Sequence, residues 1–257
     1  MRSGFGERER ELPSWEIREY DTLDSTNLEA RRLLEGGVPE GLVVVARHQT
    51  GGRGRMGRQW LDLPGKSLMF SVALRESSGF RASVRVALAV RAAVVELGGR
   101  GPDLKWPNDL VYGERKVGGV LSESFARETG ELVIVGLGLN VGYLPGELDI
   151  EARLPPTSLL IEEGRTWDRM ELLRAALSGL RDRWGAAWDA CMEEYRAHLA
   201  FLGREVTVNP PYALAGSSGR REEEVRGLLR GVDEEGNLLL EAGGELLRVA
   251  SGDVAGG

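Results

Sequence analysis

The chain of 257 residues is long enough for one large domain or a domain and a half, with apolar content ample for a buried core. Its 33 basic and 40 acidic side chains give a net charge of -7, which argues against general electrostatic binding of nucleic acid. A single cysteine, Cys191, excludes an internal disulfide framework and a cysteine-based metal cluster. No signal-peptide core opens the chain and no run of about 20 apolar residues occurs, so the expected setting is the cytoplasm, away from membranes.

Residues 1–15 are charged and contain glycine, and read as a flexible tail before a strand at 16–20. Asp24, Ser25, Thr26 and Asn27 then precede a helix over 28–35 that stops at Gly36 and Gly37. One helix start needs one capping side chain. Four short polar residues in a row leave two readings open, capping alone or capping together with hydrogen bonds to a small ligand.

After the apolar run 42–46 comes GGRGRMGRQW at 51–60, with Arg53, Arg55 and Arg58 among four glycines. Glycine backbone can approach a ligand closely, and guanidinium forks grip carboxylate or phosphate, so this loop suits a bound anion. An ordinary turn carrying scattered arginines is the alternative. Gly52, Gly54 and Gly57 spell G-x-G-x-x-G, yet Pro64, Gly65 and the apolar run 68–74 follow instead of a helix, so the loop joins two strands. Gly52 and Gly57 also have Walker A spacing, but Arg58 and Gln59 stand where that motif needs Lys and Ser or Thr. Neither nucleotide fold is supported.

Residues 82–97 are apolar nearly all round and predict a buried helix. LKWPNDL at 104–110 predicts a short strand ending at Trp106, with turn chemistry at Pro107, Asn108 and Asp109. A turn at 113–115 leads to Lys116 and a strand at 117–125 headed by Gly118 and Gly119; the next strand, 132–141, contains Gly136, Gly138 and Asn140. Glycines inside strands pack nothing, so these strands and the arginine loop are expected to enclose one pocket. Residues 142–166, rich in Pro and Gly, are expected to wrap the surface.

Asp168 then caps a long helix whose Leu173, Leu177, Leu180, Trp184, Ala187 and Cys191 share a face. Beyond Gly203, short strands at 205–208, 224–231, 237–241 and 245–250 predict a small β-barrel. Its 6 Arg against 10 Asp plus Glu make it a poor binder of nucleic-acid phosphates. The two histidines, His48 and His198, have no evident shared site.

Taken in order, DSTN from Asp24, QTGGRGRMGRQW from Gln49, KWPNDL from Lys105, KVGGVLSE from Lys116 and GLGLN from Gly136 resemble the motif set of biotin protein ligases. The similarity runs from about residue 17 to the end, where RGVDEEGNLLL from Arg230 resembles that family's C-terminal SH3-like barrel. The resemblance implies an α+β protein, with a mixed-sheet biotin/lipoate ligase catalytic domain at 16–202 and an SH3-like β-barrel at 203–257. It also implies a reaction in two steps. Biotin and ATP form biotinyl-5'-AMP and pyrophosphate, and a lysine of a biotin carboxyl carrier domain, part of a biotin-dependent carboxylase, then takes the biotinyl group. Both reactants of the first step are anions, so positioned cations matter more than a protein nucleophile.

Position by position, Ser25, Thr26, Asn27 and Gln49 resemble the contacts to the biotin head, Arg53 and Gly54 the loop that closes over it, and Gly119 a further biotin neighbour. Arg55 and Lys116 resemble the catalytic cations, which touch both biotin's carboxylate and the α-phosphate. Arg58, Trp60, Asn108 and Asn140, with Arg55, would hold ATP and the adenylate, and Asp109 would orient the acceptor lysine. Mg2+ is expected with ATP, although the sequence has no dedicated ligand cluster. Family members that also repress transcription carry an N-terminal helix-turn-helix domain; only about 15 residues precede the first strand here, so no nucleic-acid partner is expected. Monomer and weak homodimer both remain open. Lipoate or octanoyl ligases share the catalytic fold, but the GRGRxGR loop favours biotin, and the presence of Lys116 with Arg55 disfavours a non-catalytic sensor.

Overall fold

The computed structural model describes residues 14–127, 130–148, 154–216, 219 and 221–256. The tail expected through Pro13 lies outside the described residues. Trp15, counted with that tail, is anchored: its indole N–H donates to the Leu177 carbonyl at 3.1 Å.

Seven strands form one mixed sheet: β1 (Glu16–Leu23), β2 (Leu42–Gln49), β3 (Ser67–Leu74), β4 (Asp103–Lys105), β5 (Asp109–Tyr112), β6 (Arg115–Arg127) and β7 (Gly130–Asn140). They lie in the order β1-β2-β3-β7-β6-β5-β4. Helix α1 (Thr26–Glu35) returns the chain between β1 and β2, which therefore run parallel, whereas the remaining neighbours are antiparallel.

The central strands are covered on both faces, which is why they read as unbroken apolar runs instead of alternating ones. Val43, Val45, Phe70, Val72, Val133 and Val135 pack on one side with α2 (Gly79–Glu96) and α4 (Arg169–Gly185). Leu42, Val44, Ala73, Leu132, Ile134 and Phe125 pack on the other, where α1 contributes Ala30 and Leu34. This second layer is incomplete. Along β7 its positions continue as Gly136, Gly138 and Asn140, and the paired rows carry Leu121, Gly119 and Asp109 from β6 and β5. A cleft opens where glycine replaces leucine and isoleucine, because no side chain is left to fill the layer.

The expected helix at 82–97 is found as α2, capped by Ser78, whose hydroxyl accepts the Arg81 N–H at 3.2 Å. The single long helix expected to reach Cys191 is two helices. α4 stops at Gly185, Ala186 is extended, and α5 (Trp188–Ala197) restarts the coil. Buried Arg85 explains the break: paired with buried Glu76 at 3.0 Å, it donates to the Arg183 carbonyl and, at 3.3 Å, to that of Ala186. Those carbonyls would otherwise end a helix unsatisfied.

The described parts of 142–166 also differ from a surface wrap. Ser158 caps a short helix, α3 (Leu159–Glu163), accepting the Ile161 N–H while donating to the Tyr143 carbonyl at 2.8 Å, and Leu154, Thr157 and Ser158 are buried. Backbone bonds between Lys116 and both Pro155 and Thr157 draw this segment over the cleft.

The last four strands, β8 (Glu205–Leu214), β9 (Val225–Val232), β10 (Leu238–Ala242) and β11 (Glu245–Gly256), close into a barrel in the order β10-β11-β8-β9. β11 runs past the expected end at Ala250 to Gly256. Barrel and sheet share one apolar core, and the Trp106 indole N–H donates across the seam to the Gly236 carbonyl at 2.9 Å. No helix among the described residues is long and apolar enough to cross a membrane.

Candidate active site

The cleft has a volume of about 500 Å³ and is lined by every residue singled out above for binding or catalysis: Ser25, Thr26, Asn27, Gln49, Arg53, Gly54, Arg55, Arg58, Trp60, Asn108, Asp109, Lys116, Gly119 and Asn140. Its floor is the glycine-bearing stretch of β6 and β7. The loop at 51–60 forms one wall and the end of β11 another.

At one end lies a cluster of neutral polar groups. Ser25 opens α1, but no side chain of the DSTN run caps the helix. Gln49 does so instead, its carbonyl oxygen accepting the Thr26 N–H at 2.7 Å and the Thr26 hydroxyl at 3.1 Å. The capping reading of DSTN is thereby corrected, and Thr26 and Asn27 are free to take other partners. Ser71 on β3 lies 2.7 Å from the Thr26 hydroxyl and 2.6 Å from Asn27 Oδ1, while Asn27 Nδ2 donates to Glu123 at 2.7 Å. Each neighbour has one role left, so the amide orientations are set before any ligand arrives. Gly136 lies under Asn27, at a distance that leaves no space for a Cβ.

The other end is cationic. Arg55, Arg58, Lys105 and Lys116 gather there around Asp109 and Asp253, while Arg53 sits by the polar cluster and shares Glu123 with Asn27; the lining as a whole carries an excess of three positive charges in a chain of net charge -7. The cations are held in different ways. Arg53 pairs with Glu123 at 3.2 Å, Arg58 with Asp253 at 3.0 Å and Lys116 with Asp109 at 2.5 Å, whereas Arg55 donates to the neutral Asn108 oxygen at 3.3 Å. Asn108 is itself fixed, its amide donating to the Val120 carbonyl at 2.7 Å.

Burial pulls Arg55 below the ordinary guanidinium range, against the attraction of Asp253 and Asp109. A buried charge without a full counter-charge gains from any anion that arrives. Asp253 shows the converse. Burial pushes its carboxyl up, but Lys105 and Arg58 together bring it below the usual carboxylate range.

Trp60 lies across Gly138, and its indole nitrogen is buried with no hydrogen-bond partner among the described residues. An acceptor on a ligand would satisfy it. The loop reaches this position through a 3-10 turn at Arg55–Gly57, with Met56 at φ 58° and Gly57 at φ 75°, and closes by pairing Arg53 with Gln59.

Lys105, Asp253, Glu123 and Ser71 belong to the site or its support but carried no assigned role in the sequence reading. Lys105 and Glu123 had a signal, since each falls inside a motif. Asp253 had none. Of the histidines, His48 pairs with Asp62 at 3.0 Å outside the cleft, and His198 is not part of the lining.

The fold and site together define a class: an α+β protein with a cation-lined cleft between a glycine-floored sheet and a small barrel. The family described as "Biotin/lipoate A/B protein ligase family" matches residues 20–140, and "Biotin protein ligase C terminal domain" matches residues 219–255. The chain is 33% identical over 243 residues to the biotin–[acetyl-CoA-carboxylase] ligase of Mycobacterium tuberculosis, covering 90% of this chain and 85% of that protein. It is 32% identical over 244 residues to the bifunctional ligase/repressor BirA of Bacillus subtilis, covering 91% of this chain and 72% of that one. A solved structure of the Aquifex aeolicus biotin protein ligase in complex with biotin and ATP superposes with a TM-score of 0.75 at 29% identity, covering 93% of this chain and 97% of that one. The chain belongs to the biotin/lipoate protein ligase family.

Proposed function

We propose that this protein activates biotin with ATP and transfers the biotinyl group to a lysine of a biotin carboxyl carrier domain. The observation that carries the reading is the division of one cleft into an end of fixed neutral amides and hydroxyls and an end of clustered cations. A ligand with a polar uncharged head and a carboxylate tail fits that polarity, and a nucleotide triphosphate fits the cations beyond it. Residues 16–202 would be the catalytic unit, with the barrel at 203–257 closing one wall.

In the first step a carboxylate oxygen of biotin attacks the α-phosphorus of ATP; the bond from that phosphorus to the bridging oxygen breaks, and pyrophosphate leaves with the electron pair. Two anions must approach, so the barrier is electrostatic before it is chemical. Lys116 and Arg55 would bracket the reacting oxygens and neutralise the charge that builds on the α-phosphate. Gly119 keeps space beside Lys116: a Cβ there would lie 3.3 Å from Nζ. Ser25, Thr26, Asn27 and Gln49 would hold the biotin head, with Arg53 and Gly54 closing above it. Arg58 would take the departing phosphates, and Trp60, Asn108 and Asn140 would position the adenylate.

In the second step an acceptor lysine attacks the acyl carbonyl, the acyl–phosphate bond breaks, and AMP leaves. Asp109 would orient that amine. Among the described residues no group of three or more His, Cys, Asp or Glu side chains could hold a metal ion by itself, so a Mg2+ here would depend on the phosphates of ATP for most of its ligands. Magnesium would travel on the phosphates of ATP.

Incubation with α-labelled ATP and either biotin or lipoate, followed by separation of the acyl adenylate, tests the reading. Adenylate formed with biotin alone, and then discharged onto a carrier domain, is the expected result. Adenylate formed with lipoate and none with biotin overturns it.

A further inference from the structure

We infer that Asp253, on the last strand of the barrel, is a positioning residue of the cleft: it holds Lys105 and Arg58 directly and, through Asp109, sets the place of Lys116. The inference rests on the proposed function for its consequence in ATP use, but its geometry stands apart from that reading.

Five charged side chains alternate in sign across the cleft. Arg58 donates to Asp253 Oδ2 at 3.0 Å, Lys105 reaches Asp253 Oδ1 at 3.2 Å and Asp109 Oδ2 at 3.4 Å, and Lys116 pairs with Asp109 Oδ1 at 2.5 Å. The chain begins on the arginine loop, passes through the barrel and ends on the β5–β6 hairpin. Its middle member is the most constrained. The Lys105 side chain is 1% exposed, against 31% for Lys116 and 52% for Arg58, so water screens Lys105 least. A buried ammonium held away from water depends on the carboxylates beside it.

Lys105 has two such carboxylates, and one of them is shared. Asp109 lies 2.5 Å from Lys116 and 3.4 Å from Lys105, so it serves Lys116 first only because Asp253 takes the larger part of Lys105. Without Asp253, Lys105 and Lys116 would share Asp109 alone, and Arg58 would lose its carboxylate partner. Lys105, buried deepest, would draw Asp109 toward itself, and Lys116, a third exposed, would be released toward solvent. The barrel therefore supplies Lys105 with a second counter-charge beside that of Asp109 on the sheet, as well as one wall of the cleft.

Two measurements test this on the full chain, with Asp253→Ala and the isosteric Asp253→Asn. The first uses no ligand. Limited acetylation with acetic anhydride, read by mass spectrometry, is expected to modify Lys116 about tenfold faster in either variant than in the parent protein, with formate slowing it again in Asp253→Ala by replacing the missing charge. The second follows ATP-dependent pyrophosphate release with biotin, well below the melting temperature of each variant, where the KM for ATP is expected to rise about tenfold. If Asp253→Ala does not fold, Asp253→Asn is read alone. Unchanged Lys116 reactivity, or a KM for ATP within about twofold of the parent's, overturns the inference. A parent protein that releases no pyrophosphate refutes the proposed function, and altered Lys116 reactivity in the variants would still support the positioning role.

Discussion

Gly138→Ala perturbs the cleft at a point where the structure leaves almost no freedom. A Cβ built at Gly138 lies 2.5 Å from Trp60 Cε2 and 2.6 Å from Cζ2, whereas ordinary contact begins at 3.4 Å. The strand cannot retreat, because β7 is paired on both sides, Gly138 with Met69 of β3 and with Gly119 of β6. The indole must therefore move by about 1 Å, and with it the arginine loop, whose two ends are joined by the Trp60 N–H bond to the Gly52 carbonyl at 2.9 Å. Overpacking of this kind costs about 1–3 kcal/mol. For a chain of this length each kcal/mol lowers the melting temperature by about 2–4 °C, so a drop of roughly 2–12 °C is expected. The stabilisation conferred by biotinyl-5'-AMP should shrink as well, since the displaced ring no longer meets the adenylate. Differential scanning fluorimetry with and without the adenylate reads both quantities. Trp60→Ala removes the obstacle, so the double variant should lose less than the sum of the single losses, by about the overpacking term. A Gly138→Ala protein that melts with the parent and keeps its full adenylate-induced shift would refute the argument.

Arg55→Ala and Lys116→Ala should each leave the melting temperature nearly unchanged, because neither side chain belongs to the apolar core. Each should lower pyrophosphate release by roughly 2–4 kcal/mol of transition-state stabilisation, measured as kcat/KM. Limited proteolysis within residues 51–60 should slow when biotin or its adenylate is added, since four glycines and clustered like charges favour one conformation only around an anion; equal cleavage rates would count against the loop closing. Acid should expose the contribution of Asp253. A carboxylate held below its unfolded value of 3.8 adds stability that is present above that pH and lost as the pH falls through the folded value. Below about pH 4 the parent should therefore lose melting temperature more steeply than Asp253→Asn, which lacks that term from the start.

Much of the architecture was open to reading from local pattern. The runs 42–46, 68–74 and 132–141 were read as strands and are strands, and their lack of polar alternation follows from layers packed on both faces of the sheet. The glycines at 119, 136 and 138 and the arginines at 53, 55 and 58 were legible as one pocket because their residue types have little use elsewhere: glycine in a strand weakens it, and clustered cations repel. All fourteen residues named from the motifs do line that cleft. Tertiary structure alone decided what those residues do to one another. Gln49 caps α1 from a neighbouring strand, so Ser25, Thr26 and Asn27 line the cleft without capping the helix; Arg85 takes the carbonyls at the end of α4, so a continuous heptad-like face became two helices. The same is true of Asp253, which stands near the end of the last barrel strand, outside the motifs quoted above. Its importance comes from lying 3.2 Å from Lys105, a residue 148 positions earlier in the chain. Periodicity and motif report on neighbours along the backbone, whereas a buried charge finds its partner in space, and only the closing of barrel on sheet brings that partner within reach.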